Sequence, residues 1–82
     1  MGMPMSANNI MILLLDSLEW LWNWENVTAA VLVEDIIDNN DVSRTEVELV
    51  LAEAISLGYI VLDENMNLIL SSSGVDLLDK TS

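Results

Sequence analysis

The sequence of 82 residues contains no cysteine, no histidine and no phenylalanine, and it has one proline and three glycines. Without cysteine, disulfide bonds, thiolate nucleophiles and zinc–thiolate sites are excluded. Without histidine, the serines lack the base that most often activates a hydroxyl nucleophile. Three scattered glycines cannot form a glycine-rich phosphate-binding loop. These absences argue against an enzyme, and we expect no catalytic site, no cofactor and no metal site.

Long hydrophobic runs are also missing. The longest unbroken apolar run is Ile10 to Leu15, whereas a membrane-spanning helix needs about 20 apolar residues. No basic segment precedes an apolar run, as it would in a secretory signal. We therefore expect a cytoplasmic protein that does not enter a membrane.

Positive charge is nearly absent: the sequence has two basic residues and fourteen acidic ones, which gives a formal net charge of −12. Such a chain is repelled by nucleic acid and anionic membranes and attracted to basic surfaces. Its hydrophobic content of 52% is too high for ordinary disorder. We expect a dense core under an acidic surface. An acidic surface that serves only solubility or adaptation to high salt is the alternative.

The hydrophobic pattern predicts two amphipathic helices in the first half of the chain. The first is expected to extend from residue 10 to about Trp24, with Asn8 or Asn9 as its cap. The second is expected over residues 27–38, with Asn26 as its cap. We expect residues 1–9 to form a flexible tail.

The second half of the chain has clearer boundaries. Ser43-Arg44-Thr45-Glu46 fits a capping box at the start of a third helix. Gly58 fits the left-handed residue that commonly follows a helix. Residues 59–62 and 67–70 are typical of two strands in a hairpin. A short last helix capped by Ser73 is expected to follow.

The hairpin turn contains Asp63-x-Asn65-x-Asn67, which matches the first three ligand positions of a calcium-binding loop. The match then fails, because Leu68 and Gly74 occupy the positions of the required glycine and glutamate. We interpret the motif as a polar hairpin turn.

Three motifs follow one another between Val42 and Leu78: Leu57-Gly58-Tyr59-Ile60, the hairpin Val61–Leu70, and Ser71-Ser72-Ser73-Gly74. This run resembles the C-terminal half of bacterial winged-helix regulators of the MarR and PadR type. The resemblance implies a mainly α winged-helix domain over residues 10–80, with three helices, a two-stranded wing and a short C-terminal helix. It also implies that the third helix and the wing would be the DNA-contacting elements.

The positions that would contact DNA carry the wrong charge for that role. The outward face of the third helix is expected to present Thr45, Glu48, Leu49, Ala52, Glu53 and Ser56. The tip of the wing carries Asp63 and Glu64. Because contacts from lysine and arginine to phosphates supply essentially all non-specific affinity, we expect no direct binding of nucleic acid.

We therefore predict a non-enzymatic, acidic protein-binding module that occupies a basic, normally nucleic-acid-binding surface of another protein. The chain is similar in size and charge to small phage and mobile-element proteins that block nucleases, restriction systems, CRISPR effectors or polymerases; a phage-encoded chain would act in the host cytoplasm. The carboxylates expected to imitate phosphates are Glu34, Asp35, Asp38, Asp41, Glu46, Glu48, Glu53, Asp63 and Glu64.

The first helix predicts a second interaction surface. Its apolar arc spans roughly 220°, whereas packing on one core needs little more than about 100°. The excess predicts a homodimer interface made by Met11, Leu15, Trp20, Trp22 and Trp24. Two alternatives remain open: a structural or assembly winged helix that acts through this helix, and a dimeric transcription regulator whose partner supplies the basic residues.

Overall fold

The chain folds into four helices and a two-stranded antiparallel hairpin in a computed structural model, which describes residues 6–22 and 26–81. In chain order the elements are α1 (Ala7–Leu21), α2 (Ala29–Asn39), α3 (Arg44–Ser56), β1 (Ile60–Leu62), β2 (Leu68–Leu70) and α4 (Ser72–Thr81). This mainly helical architecture with a small hairpin confirms the coarse fold class. Among the described residues, none of the helices has the length and apolar character to cross a bilayer.

The first helix, α1, is the central element, because it contacts α2, α3, α4 and β2. Its buried residues are Ile10, Met11, Leu14, Leu15, Leu18 and Leu21. Met11 is 8% exposed and Leu15 is fully buried, so the prediction that these two residues lie in a dimer interface is wrong. Most of the wide apolar arc is covered within the chain, because α4 and β2 add to the cover that α2 and α3 provide, but Trp20 remains exposed.

The start of α1 differs from the prediction. Ser6 is the cap, and its side chain accepts a hydrogen bond from the backbone N–H of Asn9 at 3.2 Å. Residues 7–9, which we expected to be part of the tail, are therefore helical. The helix ends at Leu21, and the predicted end at Trp24 lies outside the described residues.

The start of α2 also differs, because Thr28 and not Asn26 caps it. The Thr28 hydroxyl accepts from the Val31 N–H at 3.4 Å. Val27 is excluded from the helix because it is fully buried and its carbonyl accepts the Leu68 N–H at 2.6 Å. A tertiary contact with the hairpin, and not local propensity, decides where α2 begins.

The boundaries of α3 agree with the prediction. The Ser43 hydroxyl accepts from the Glu46 N–H at 3.2 Å and lies 3.1 Å from the Glu46 carboxylate. Gly58 follows the helix with a φ of +81°, and the Tyr59 N–H returns to the Ala54 carbonyl at 2.9 Å. Glycine meets this left-handed conformation without steric cost.

The hairpin and α4 are joined by Ser71, which replaces the predicted Ser73 as the cap. The Ser71 hydroxyl accepts from the Gly74 N–H at 3.2 Å and donates to the Gly58 carbonyl. The helix begins at Ser72. A Cβ at position 74 would collide with the Tyr59 carbonyl, so glycine permits this close approach of α4 to the hairpin.

Val27 and Thr28, which immediately precede α2, lie against the edge of β2 that does not pair with β1. Thr28 forms an isolated antiparallel bridge with Asn67. Leu68 is tied at both of its backbone polar groups: its N–H bonds to Val27, and its carbonyl accepts the indole N–H of Trp22 at 2.5 Å. The hairpin is therefore anchored to the helices by directed hydrogen bonds as well as by apolar packing.

Candidate functional site

The outer face of α3 presents the side chains that its periodicity predicts. The residues Thr45, Glu48, Leu49, Ala52, Glu53 and Ser56 are all exposed. Glu46 and Glu53 are seven residues apart and so project in nearly the same direction, with Leu49 between them. Glu48 lies on the opposite side of this outer face. The carboxylates of α3 are thus divided between its two flanks.

A shallow groove accompanies each flank of α3. Towards the start of α1, a groove of about 220 Å³ is lined by Ala7, Ile10, Glu46, Leu49, Val50 and Glu53. Towards α2, a groove of about 360 Å³ is lined by Ala29, Ala30, Val33, Arg44, Glu48, Leu51, Ala52 and Ile55. Both grooves have an apolar floor with carboxylates at the margin, and Leu49, which is 66% exposed, stands beside the first.

Arg44 is paired inside the chain. Its guanidinium donates a hydrogen bond to the Glu34 carboxylate, which joins α3 to α2, and both side chains are about half exposed. The hydrogen bond and the charge of Glu34 raise the pKa of Arg44 above its ordinary value. Glu34 was predicted to imitate a phosphate, but it already has a cationic partner. Sequence reasoning missed this pair because the two residues lie on different helices.

Asp63 shapes the hairpin turn. Its Oδ1 accepts from the backbone N–H groups of Asn65 and Asn67, at 2.8 and 2.9 Å, and its Oδ2 accepts from the Asn67 side chain at 3.3 Å. The backbone hydrogen bond from Asn67 and the further bonds lower the pKa of Asp63. The polar-turn interpretation is confirmed. Asp63 is half-buried and its oxygens are engaged inside the turn, which leaves Glu64 as the exposed carboxylate there.

The carboxylates of α2 lie on a different surface. Asp38 and Asp41 are exposed and Asp35 is half-buried, with the Asp35 Oδ1 accepting from the Asn39 side chain at 3.3 Å. A groove of about 410 Å³ is lined by Leu21, Ala30, Val31, Glu34, Asp35 and Asp38. Six of the nine predicted acidic residues are therefore divided among three grooves: Glu46 and Glu53 line one, Glu48 lines another, and Glu34, Asp35 and Asp38 line the third.

The tryptophans predicted to form one interface have different surroundings. Trp20 is 59% exposed and stands in a cleft of about 270 Å³ with Asp16, Ser17, Glu19 and Asp35. Trp22 is half-buried and hydrogen-bonded to β2, so its indole serves the fold. Trp24 lies outside the described residues. Sequence reasoning did not place Asp16 and Glu19 beside Trp20 in a common site, although their spacing along α1 is compatible with it.

Comparison with protein-family models, with curated proteins and with solved structures finds no match. Within residues 6–22 and 26–81, no group of three or more acidic side chains is arranged to hold a metal ion. The surface of the described residues is marked by exposed carboxylates, by the apolar grooves beside them and by the exposed ring of Trp20.

Proposed function

We propose that this chain is a winged-helix domain that acts as a non-enzymatic, acidic protein-binding module. The order of elements supports the fold: three helices precede a hairpin, and a short helix follows it. The segment at Val27 and Thr28 adds a further bridge at the outer edge of β2. In this arrangement α3 leaves a full face open to solvent beside the hairpin.

The observation that carries the function is the charge on that open face. Glu46, Glu48 and Glu53 are exposed on α3, and the one basic side chain of the helix, Arg44, is bound to Glu34. Phosphates would be repelled here, since binding to DNA depends on lysine and arginine contacts. A basic protein surface would be attracted, and its arginines can make charge-assisted hydrogen bonds to the carboxylates.

The partner that fits this face is a cytoplasmic protein whose basic surface normally contacts nucleic acid. The exposed carboxylates of α3, with Glu64 at the hairpin turn and Asp38 and Asp41 on and after α2, would take the places of phosphates. Inhibitors of nucleases, restriction systems, CRISPR effectors or polymerases encoded by phages and mobile elements are the class of protein with this mode of action. Binding by such a module competes with nucleic acid for the same surface.

The test is a partner isolated from the native host, whose affinity is then measured across a salt series. Because exposed charges are screened over about 8 Å at physiological ionic strength, the affinity should fall steeply as salt is raised. Duplex DNA should displace the chain from its partner. An affinity that stays constant with salt, or a partner that binds DNA and this chain together without competition, would contradict the proposal.

Matched variants locate the binding face. Glu48→Gln with Glu53→Gln should weaken the affinity by about tenfold, which corresponds to about 1.4 kcal/mol of binding free energy. The control, Asp76→Asn with Asp79→Asn, also removes two negative charges, but from α4, and should change the affinity by less than about twofold. Equal losses in the two double variants would show that net charge alone, without a defined face, governs the interaction.

A further inference from the structure

We infer that the face between α1 and α2 docks a basic amphipathic helix, with an arginine or lysine of that helix placed over the ring of Trp20. We define this α1–α2 face by six residues: Asp16, Trp20, Leu21, Val31, Asp35 and Asp38. The inference rests on the proposed function, since it assumes a basic protein partner. It differs in placing the anchoring contact away from α3, the element that dominates the resemblance to DNA-binding regulators.

The apolar half of the docking site is the groove of about 410 Å³ beside α2. Leu21, Ala30 and Val31 provide its apolar surface, and the carboxylates of Asp35 and Asp38 follow along the same helix. Amphipathic helices dock by laying apolar side chains at i, i+3, i+4 and i+7 into such a groove. A helix with basic residues beside that stripe would meet the carboxylates as its apolar residues enter the groove.

The cationic half of the site is the cleft at Trp20. The ring is 59% exposed, and Asp16, Glu19 and Asp35 line the same cleft of about 270 Å³. A cation over an indole face is attracted by the negative charge of the π system. A guanidinium or ammonium held there can also bond to a neighbouring carboxylate. Asp35 lines both the cleft and the groove, so one partner helix can occupy the two together.

Charge decides which occupant fits this face. A second copy of the chain placed across a two-fold axis would bring the same patch against itself. The acidic patch of Asp16, Asp35 and Asp38 would then lie against the same acidic patch of the second copy, and juxtaposed like charges disfavour association. A partner with basic residues turns the same contacts from repulsive to attractive. The complementary occupant is therefore a cationic helix and not another molecule of this protein.

The experiment uses the full chain, labelled with ¹⁵N, and a synthetic helical peptide with a leucine stripe flanked by arginines. A peptide of the same composition in scrambled order is the control for charge alone. At low salt the helical peptide should shift the indole signal of Trp20 and the backbone amides of α2, and the scrambled peptide should bind at least about tenfold more weakly. Trp20→Ala should weaken binding of the helical peptide by about tenfold, in the range expected when a desolvated cation–π contact is lost.

Two further variants separate this inference from the proposed function. Asp16→Asn with Asp38→Asn should weaken peptide binding, whereas Glu48→Gln with Glu53→Gln should change it by less than about twofold. Peptide shifts confined to α3 and the hairpin, with Trp20→Ala binding normally, would overturn the inference and leave the proposed function intact. Absence of peptide binding, equal binding of the two peptides, or self-association that Trp20→Ala abolishes would also overturn it. Unfolding curves of each variant establish that the fold is retained.

Discussion

The junction between the hairpin and the helices around it uses polar groups differently from the outer surface of α2 and α3. At the junction, polar groups are few and each has a defined partner: Trp22 bonds to Leu68, Leu68 to Val27, and Ser71 to Gly58. On the outer surface, carboxylates are numerous and most of them point into solvent. Of these acidic residues, Glu34 is the one held in an ion pair with Arg44.

This difference separates stability from recognition. A buried or half-buried polar group that loses its partner costs the full desolvation energy of that group, so changes at the junction should destabilise the fold. An exposed charge contributes little to stability because water and salt screen it, so changes on the outer surface should leave the fold intact and alter binding. Each of the following variants tests one side of that separation.

The largest effect is expected for Trp22→Ala. The substitution removes a half-buried ring from its contact with the core and leaves the Leu68 carbonyl without its indole donor. We expect the free energy of unfolding to fall by about 3 kcal/mol, measured by urea denaturation. Trp22→Phe keeps most of the ring and should cost about 1 kcal/mol for the hydrogen bond. If Trp22→Ala unfolds at the wild-type urea concentration, the junction does not depend on this side chain.

Ser71→Ala should have the next largest effect. It removes both the cap of α4 and the hydrogen bond to the Gly58 carbonyl. The free energy of unfolding should fall by about 1–2 kcal/mol, in the upper part of the range for helix caps because the second hydrogen bond is lost as well. Ser73→Ala, at the exposed position that the sequence had indicated as the cap, is the matched control and should stay within about 0.5 kcal/mol of the wild type. Equal losses at the two serines would contradict the assignment of Ser71.

Asp63→Ala tests the hairpin turn through pH. Because hydrogen bonding lowers the pKa of Asp63 in the folded state below its ordinary value of 3.8, its contribution to stability is present above that value. The contribution is lost as the pH falls through the lowered pKa. The variant should therefore melt below the wild type at neutral pH, and the gap should narrow in acid. A gap that does not change between neutral and acidic pH would show that the ionised carboxylate is not what holds the turn.

The smallest effect on stability is expected for Arg44→Gln, since the ion pair with Glu34 is exposed. The free energy of unfolding should be indistinguishable from that of the wild type. The substitution releases Glu34 and changes the net charge from −12 to −13, so affinity for a basic partner at low salt should rise by about twofold. Lys80→Gln makes the same change of charge on α4 and should leave the affinity unaltered. A loss of affinity in Arg44→Gln would place Arg44 itself in the interface.

The sequence predicted best where local chemistry decides the structure. The cap at Ser43 and the left-handed Gly58 depend on neighbouring residues, and both were predicted correctly. The return bond of the capping box differs, because the Glu46 carboxylate accepts from the Ser43 hydroxyl and not from its backbone N–H. The caps of α1, α2 and α4 were missed because several adjacent residues can cap each helix. At Thr28, a bridge to Asn67 selects among them. A contact between distant segments cannot be read from the local pattern.

The candidate surface follows the same rule: features set by the local sequence were predicted, and contacts between distant segments were not. Periodicity correctly placed Glu48 and Glu53 on the exposed side of α3. It could not show that Arg44 reaches Glu34, because that contact depends on how separate helices meet in space. The inward turn of Asp63 is a local effect, since its hydrogen bonds go to Asn65 and Asn67 in the same turn. The sequence also showed that the apolar arc on α1 is wide. It did not show that four other elements of the same chain, α2, α3, α4 and β2, would contact this helix.

The central position of α1 has a consequence for biosynthesis. This helix precedes β2 and α4, which help to bury it, along the chain and is therefore translated before them. Until β2 and α4 have been translated, part of the apolar surface of α1 is exposed in the nascent chain, and exposed apolar surface promotes aggregation. Chains whose translation stops before β2 should therefore depend on chaperones or be degraded, because α1 keeps exposed the apolar surface that β2 and α4 would cover.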